Sequence, residues 1–110
     1  MSQLFKTANP YESQWGYSRA VRKGPFIFVS GTTAVDTSTG FIPPNLSAYE
    51  QAQLIFKEII RAVEGLGGRK EDITRVRMFV EKDEEFEQVG KALKESLGEV
   101  GPAATGIVVL

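Results

Sequence analysis

Residues 47–68, SAYEQAQLIFKEIIRAVEGLGG, carry the strongest secondary-structure signal in this sequence. Ser47 is a favourable helix N-cap, and Glu50 three residues later completes a capping box. Gly67 and Gly68 are typical of the end of such a helix. The apolar residues between them recur at the spacing of one buried helical face, and they are Ala52, Ile55, Phe56, Ile59, Val63 and Leu66. The segment therefore predicts an amphipathic helix.

A second helix and five strands are predicted around this one. Asp83 is the expected N-cap of the second helix, and Gly98 is its expected end. Strands are indicated by β-branched, aromatic or alternating residues, and they cover residues 3–7, 17–22, 26–30, 73–81 and 106–110. The order β-β-β-α-β-α-β predicts a single α/β (α+β) domain over residues 1–110. Right-handed crossovers place both helices on one face of a mixed sheet.

The opposite face of that sheet predicts an oligomer. Residues 26–29 and 107–110 are apolar on both alternating sets, so one apolar set faces away from the helices. Monomers rarely expose a large apolar patch, and oligomerisation through this face would cover it. The alternative is that these strands are central and that loops cover them. Because the chain stops inside an apolar strand at Leu110, either Leu110 pairs within the assembly or the natural protein continues.

Composition excludes several kinds of chemistry. The 110 residues contain no cysteine and no histidine, so thiol nucleophiles, Ser-His-Asp triads and typical zinc sites cannot form. The net charge is −1, and the nearest basic cluster is Arg19, Arg22 and Lys23, which is too small to favour nucleic acid as a partner. No apolar run approaches the ~20 residues that span a bilayer, and no signal peptide is recognisable. A cytoplasmic protein without membrane contacts is expected.

Several short motifs, in this order, resemble the YjgF/Rid family, also called the endoribonuclease L-PSP superfamily. Tyr17-Ser18-Arg19-Ala20-Val21 followed by the stretch 26–31, FIFVSG, is similar to the family's YSxAV and FVSG opening. Gln51-Ala52 resembles the start of its first helix, and stretch 101–104, GPAA, resembles its P-P-A-R signature. The likeness extends from about Tyr17 to Leu110. It depends on the combined order and spacing of the motifs.

The resemblance implies a chorismate-mutase-like fold and a homotrimer with a barrel-like core. Three clefts between subunits would bind small molecules. Similar proteins hydrolyse reactive 2-imino or enamine acids to 2-keto acids and ammonia without a cofactor. An arginine binds the substrate carboxylate bidentately, while a tyrosine, backbone groups at a Ser-Gly bend and a glutamate in the final strand position water and substrate.

Carried over by the resemblance, the ligand-binding positions are Tyr17, Ser30, Gly31, Ala104 and Thr105. The arginine of the P-P-A-R signature falls on Ala104, which cannot bind a carboxylate. The family's glutamate would lie in a strand beyond Leu110. Arg19 and Arg77 are the candidates to replace the lost cation, and no catalytic residue is assigned. From the residues alone, Tyr17 is equally read as an amphipathic strand residue and Ser30-Gly31 as a β-bulge.

Three functions are compatible with this pattern. The first is an enzyme acting on small imines, enamines or related carbonyl compounds. The second is a non-catalytic trimer that binds or senses a small ligand, an interpretation favoured by the alanine at position 104. A ribonuclease or translation-inhibitor role has also been attached to the family. The acidic pI of about 5.5 and the lack of histidine argue against that role.

Overall fold

Five β-strands, three α-helices and one short 3₁₀ turn make up residues 2–109, the part of the chain that the computed structural model describes. In chain order they are β1 (Ser2–Phe5), α1 (Pro10–Trp15), β2 (Ala20–Lys23), β3 (Phe26–Val29), α2 (Ala48–Gly65), the 3₁₀ turn (Lys70–Asp72), β4 (Arg75–Val80), α3 (Glu85–Leu97) and β5 (Ala103–Val108). None of the helices in this range is long and apolar enough to cross a membrane.

The strands form one antiparallel and one parallel ladder. β1, β2 and β3 pair antiparallel in that order, with Ala20 opposite Val29 at one end of the β2–β3 hairpin. β4 and β5 pair in parallel, with Arg77 in register with Thr105. Within residues 2–109 no ladder joins the two groups, so β3 and β4 each pair along one edge only. Antiparallel and parallel pairing are therefore both present, as the predicted mixed α+β architecture requires.

The capping box that begins α2 is confirmed. The Ser47 hydroxyl accepts a hydrogen bond from the Glu50 N–H at 3.0 Å, and the Glu50 carboxylate accepts one from the Ser47 N–H at 3.0 Å. The bond from the Ser47 backbone is the main reason why the pKa of Glu50 lies below its usual value. Two of the four N–H groups that a helix leaves unpaired at its start are therefore satisfied.

Helix α2 is the element that both ladders share. Its first half packs against α3 and β4, where the buried Ala52 and Phe56 meet the partly buried Val76. Its last turns pack against the antiparallel ladder through the buried Ala62 and Leu66. Phe56 is only 2% exposed, so its replacement by a small residue would leave a cavity. The two predicted helices thus lie on one side of the strands.

The other side of the strands carries a cluster of exposed apolar side chains in the single chain. Phe26 and Phe28 of β3 are each 64% exposed, and Phe79 of β4 is 61% exposed. Ile107 of β5 lies beside Phe79 in the parallel register. We call these four residues the outer apolar face. Its presence agrees with the pattern from which the sequence predicts an oligomer.

Helix α1 was not predicted from the sequence. The Asn9 side chain caps it by accepting from the Tyr11 N–H, and Pro10 occupies its first turn. Gly16 ends it in the left-handed conformation, with φ of 77°. With only six residues, the helix is too short to show a helical apolar period.

Some predicted boundaries are also wrong. β2 begins at Ala20 instead of residue 17, and β5 begins at Ala103 instead of residue 106. Asp83 does not cap α3, whose N-cap is Glu84 without a side-chain hydrogen bond. The Glu85 carboxylate instead accepts from the Lys82 N–H at 2.9 Å, which replaces the expected cap. Leu110, in the last predicted strand, lies outside the described residues.

Candidate functional site

A buried ion pair joins α1 to the residue before β2. Glu12 is 2% exposed and Arg19 is 3% exposed. Arg19 Nε lies 3.4 Å from Glu12 Oε2. The Glu12 carboxylate also accepts from the Thr7 N–H at 2.8 Å. Charged side chains are almost never buried unless they are paired, so each partner explains the burial of the other.

The Arg19 guanidinium also holds the loop after β3. Its Nη1 donates to the Gly31 carbonyl at 2.6 Å and to the Thr32 hydroxyl at 3.1 Å. Its Nη2 donates to the Tyr17 hydroxyl at 3.3 Å, and its Cζ lies 5.5 Å from the centre of the Tyr17 ring. One buried cation therefore fixes Tyr17 and Gly31 relative to each other. The structure brings together these two predicted site residues, with Ser30 between Gly31 and β3.

Two hydrogen-bond donors remain available at this place. The Tyr17 hydroxyl accepts from Arg19, which leaves its own proton for another acceptor. The Gly31 N–H has no hydrogen-bond partner within residues 2–109. The Ser30 hydroxyl, by contrast, donates to the Ser18 carbonyl at 2.7 Å. We call the Tyr17 hydroxyl and the Gly31 N–H, held in place by Arg19, the Tyr17–Gly31 edge.

Gly31 is a glycine that the fold of the single chain does not require. A Cβ built at this position meets no atom within 4 Å, and its φ is not in the left-handed region. Gly106 in β5 differs, because a Cβ there would lie 2.6 Å from the ring of Phe86. The open space over Gly31 leaves room for a ligand or a second subunit to approach its N–H.

Replacing Gly31 by alanine is expected to change the free energy of unfolding by less than about 1 kcal/mol, since no atom is displaced. Gly106→Ala is the matched comparison and is expected to destabilise the protein by about 1–3 kcal/mol, because the Phe86 ring must move. Urea denaturation of both variants measures the difference. Equal losses of stability would show that Gly31 is needed by the fold itself.

Ala104 and Thr105 lie in the other ladder and project from opposite faces of β5. Side chains of successive strand residues point to opposite faces. Ala104 shares the helix side with Gly106, whereas the Thr105 hydroxyl accepts a hydrogen bond from Arg75 on the outer side. No hydrogen bond joins either residue to the Tyr17–Gly31 edge within residues 2–109. Their role in ligand binding stays a prediction.

Arg19 and Arg77, the two candidates to replace the lost arginine at position 104, lie in different environments. Arg19 is buried and its donors are taken up by Glu12, Tyr17 and the loop. Arg77 is exposed and lies in register with Thr105 on the outer side of β4. Arg75, which lies on the same face of β4 as Arg77, bonds to the same threonine. The outer side therefore carries two guanidinium groups around Thr105.

Glu12 is the important residue that the sequence analysis missed. It lies in the first turn of α1, where an acidic side chain is favourable. The available signal was Asn9-Pro10, a cap followed by a proline, with Gly16 as a stop. That signal predicts a short helix, but it does not predict that the glutamate is buried.

The strand order and the shared helical layer place this protein in the class of small α+β domains. Its antiparallel strands β1 to β3 and its β4-α3-β5 unit both pack against helix α2. Residues 7–109 match the sequence model of the family described as endoribonuclease L-PSP. The chain belongs to this family, the YjgF/Rid family, as its motifs predicted.

Individual relatives agree with this assignment. The uncharacterized protein SCO2049 of Streptomyces coelicolor is 32% identical over 106 residues, which cover 94% of this chain and 76% of that protein. The RutC family protein PYRAB12510 of Pyrococcus abyssi is 29% identical over 93 residues, covering 84% of this chain and 72% of that protein. The structure also resembles Rv2704 of Mycobacterium tuberculosis, a member of the YjgF/YER057c/UK114 family. The TM-score is 0.84 at 25% identity, covering 100% of this chain and 85% of Rv2704.

Proposed function

We propose that this chain forms a homotrimer whose inter-subunit clefts bind small imines or enamines and hydrolyse them to carbonyl compounds and ammonia. The observation that carries the proposal is the Tyr17–Gly31 edge, a pair of donors held by a buried guanidinium. Donors that are fixed before the reaction stabilise charge without reorganising. Membership of the family supports the same reaction class.

The reaction needs water and two donors rather than a cofactor. A water oxygen bonds to the imine carbon and the electron pair of the C=N π bond moves to nitrogen. One O–H bond of the water breaks, and its proton is transferred to that nitrogen. The resulting carbinolamine loses its O–H proton to nitrogen, the C–N bond breaks, and ammonia leaves as the carbonyl forms. In the proposed reaction, the Gly31 N–H and the Tyr17 hydroxyl donate hydrogen bonds to the oxygen of this intermediate. An enamine enters the same path after a proton is added to its carbon.

Recognition of a substrate carboxylate has to differ from the usual arrangement, because the side chain of Ala104 has no hydrogen-bond donor. We assign this role to the outer side of β4, where Arg75 and Arg77 lie close to Thr105. A guanidinium binds a carboxylate through two parallel hydrogen bonds. In a trimer, the outer side of one subunit would supply these groups to the Tyr17–Gly31 edge of the next.

The trimer is supported by the outer apolar face. The single chain leaves three phenylalanines more than 60% exposed on the strands, and such a patch marks an interaction surface. The Tyr17–Gly31 edge flanks the antiparallel ladder, whereas the Arg75–Thr105 pair lies on the parallel ladder of the same chain. Contact between subunits is the simplest way to bring them to one cleft.

Ammonia release in a system that generates 2-aminoacrylate tests the activity, and acceleration by the wild-type protein is expected. Tyr17→Phe removes one donor and is expected to lower the rate by about tenfold. Tyr11→Phe is the matched control, since Tyr11 is partly exposed on α1 and its hydroxyl donates no hydrogen bond to a residue in 2–109. A wild-type protein that leaves the rate of ammonia release unchanged would reject the hydrolase.

A non-catalytic trimer that binds a small ligand is the second candidate, and Ala104 favours it. Thermal-shift measurements with 2-keto acids, small carboxylates and uncharged carbonyl compounds separate the candidates. Stabilisation by 2-keto acids without ammonia release supports the binding protein. Stabilisation by uncharged compounds alone would contradict a carboxylate site at Arg75 and Arg77.

Cleavage of RNA, which the name of the family suggests, is less well supported. The chain has a net charge of −1 and no histidine to act as a general base near neutral pH. Binding to phosphates depends on clustered basic residues and weakens steeply with salt. RNA affinity with such a salt dependence would favour this third function instead.

A further inference from the structure

A second concave site lies between α2 and the loop that follows β3. Its volume is about 370 Å³, which is at the lower end of the range for small-molecule sites. The site opens to solvent, and apolar side chains from both elements form its walls. They are Ala34, Val35 and Pro43 from the loop and Leu54 from α2.

Some of the charged side chains around this cavity already have ion-pair or hydrogen-bond partners. Arg61 is paired with Glu58 at 2.6 Å and lies over the ring of Phe5, with its Cζ 5.2 Å from the ring centre. The Asp36 carboxylate accepts from the Ser38 hydroxyl at 2.7 Å and from the Ser38 N–H at 2.9 Å. Lys57 also lines the cavity.

Lys57 makes neither an ion pair nor a side-chain hydrogen bond within residues 2–109. The cavity therefore combines an apolar wall with a lysine that has no ion-pair partner in this range. The two acidic residues that line it, Glu58 and Asp36, already accept from Arg61 and Ser38. A ligand that complements both features has a short hydrocarbon part and a single negative charge. A second anionic group would meet Glu58 or Asp36.

We propose that this cavity binds a small amphiphilic monoanion, such as a short aliphatic carboxylate. The hydrocarbon part packs on Leu54 and Val35, and the carboxylate accepts hydrogen bonds from the Lys57 ammonium. Neither Tyr17 nor Gly31 lines this cavity, and the proposal does not depend on the proposed hydrolase. A chain of about six carbons fits a cavity of this size.

Titration of the ¹⁵N-labelled full chain with hexanoate, followed by NMR, tests the proposal. Saturable shifts are expected at the amides of Val35, Leu54 and Lys57, with a Kd in about the millimolar range. Hexylammonium, which has the same chain and the opposite charge, is expected to bind more weakly. Shifts centred on Tyr17, equal binding of both compounds, or no saturation would each overturn the proposal.

Two variants locate the binding energy. Lys57→Gln removes the charge and is expected to weaken hexanoate binding about two- to fivefold, whereas Lys94→Gln on α3 is the matched control and is expected to change nothing. Leu54→Asp places a carboxylate on the apolar wall and is expected to abolish hexanoate binding. Unchanged binding in both cavity variants would show that hexanoate binds elsewhere.

Discussion

Arg19→Met is expected to destabilise the protein by about 3–5 kcal/mol, because it leaves the Glu12 carboxylate buried without its cation. Glu12 is 2% exposed and would keep only its bonds from Thr7. The Gly31 carbonyl and the Tyr17 hydroxyl would also lose their donor. A domain of this size has a total stability of about 5–15 kcal/mol, so a large share of it depends on this pair.

Urea denaturation measures this loss, and two further variants identify its cause. Arg69→Met breaks an ion pair whose side chains are 74% and 51% exposed, and no measurable change is expected. Glu12→Gln combined with Arg19→Met removes both charges and is expected to recover part of the stability. If Arg19→Met were as mild as Arg69→Met, Arg19 could not be the residue that holds the Tyr17–Gly31 edge.

Replacing Phe28 and Phe79 together by aspartate is expected to convert the proposed trimer to single chains. Both side chains belong to the outer apolar face and are more than 60% exposed in the isolated chain. Burial of a phenylalanine side chain contributes about 1.5–3 kcal/mol, and a buried unpaired carboxylate is strongly unfavourable. Each subunit interface would lose the free energy of phenylalanine burial and would gain the cost of buried carboxylates.

Light scattering at micromolar concentration measures the change. The wild-type mass is expected to be that of three chains, and the mass of the double variant that of one chain of 12.1 kDa. Leu54→Asp is the control, since it places the same charge at an exposed leucine on α2 instead of on a strand. A wild-type protein with the mass of one chain would remove the basis for inter-subunit clefts.

The two long helices were predictable because their signals are local. The capping box of Ser47 and Glu50 and the apolar face that follows lie within one continuous segment. The family was predictable because its motifs keep their order along the chain, and the match over residues 7–109 confirms it. Strand boundaries were less certain, since β-branched and aromatic residues also occur just outside strands. Tyr17 therefore appeared to begin a strand that in fact starts at Ala20.

The candidate site was predictable only in part. Tyr17, Ser30 and Gly31 were selected by resemblance, and the structure places them together. Glu12 was missed, because a single glutamate in a short polar segment looks like any exposed acid. Its burial depends on Arg19, and two partners of Arg19, Gly31 and Thr32, lie twelve and thirteen residues further along the chain.

Local patterns along the chain were sufficient to predict the two long helices, the mixed strand content, the family and an apolar surface on the strands. Each of these follows from spacing and composition along the chain. The fold was needed to show that Arg19 is buried and used internally and that Arg75 and Arg77 flank Thr105. It was also needed to show that the Gly31 N–H has no hydrogen-bond partner among residues 2–109. These properties depend on which distant groups meet in space. The charge or donor capacity of a residue is set by those neighbours, and its position in the chain does not specify them.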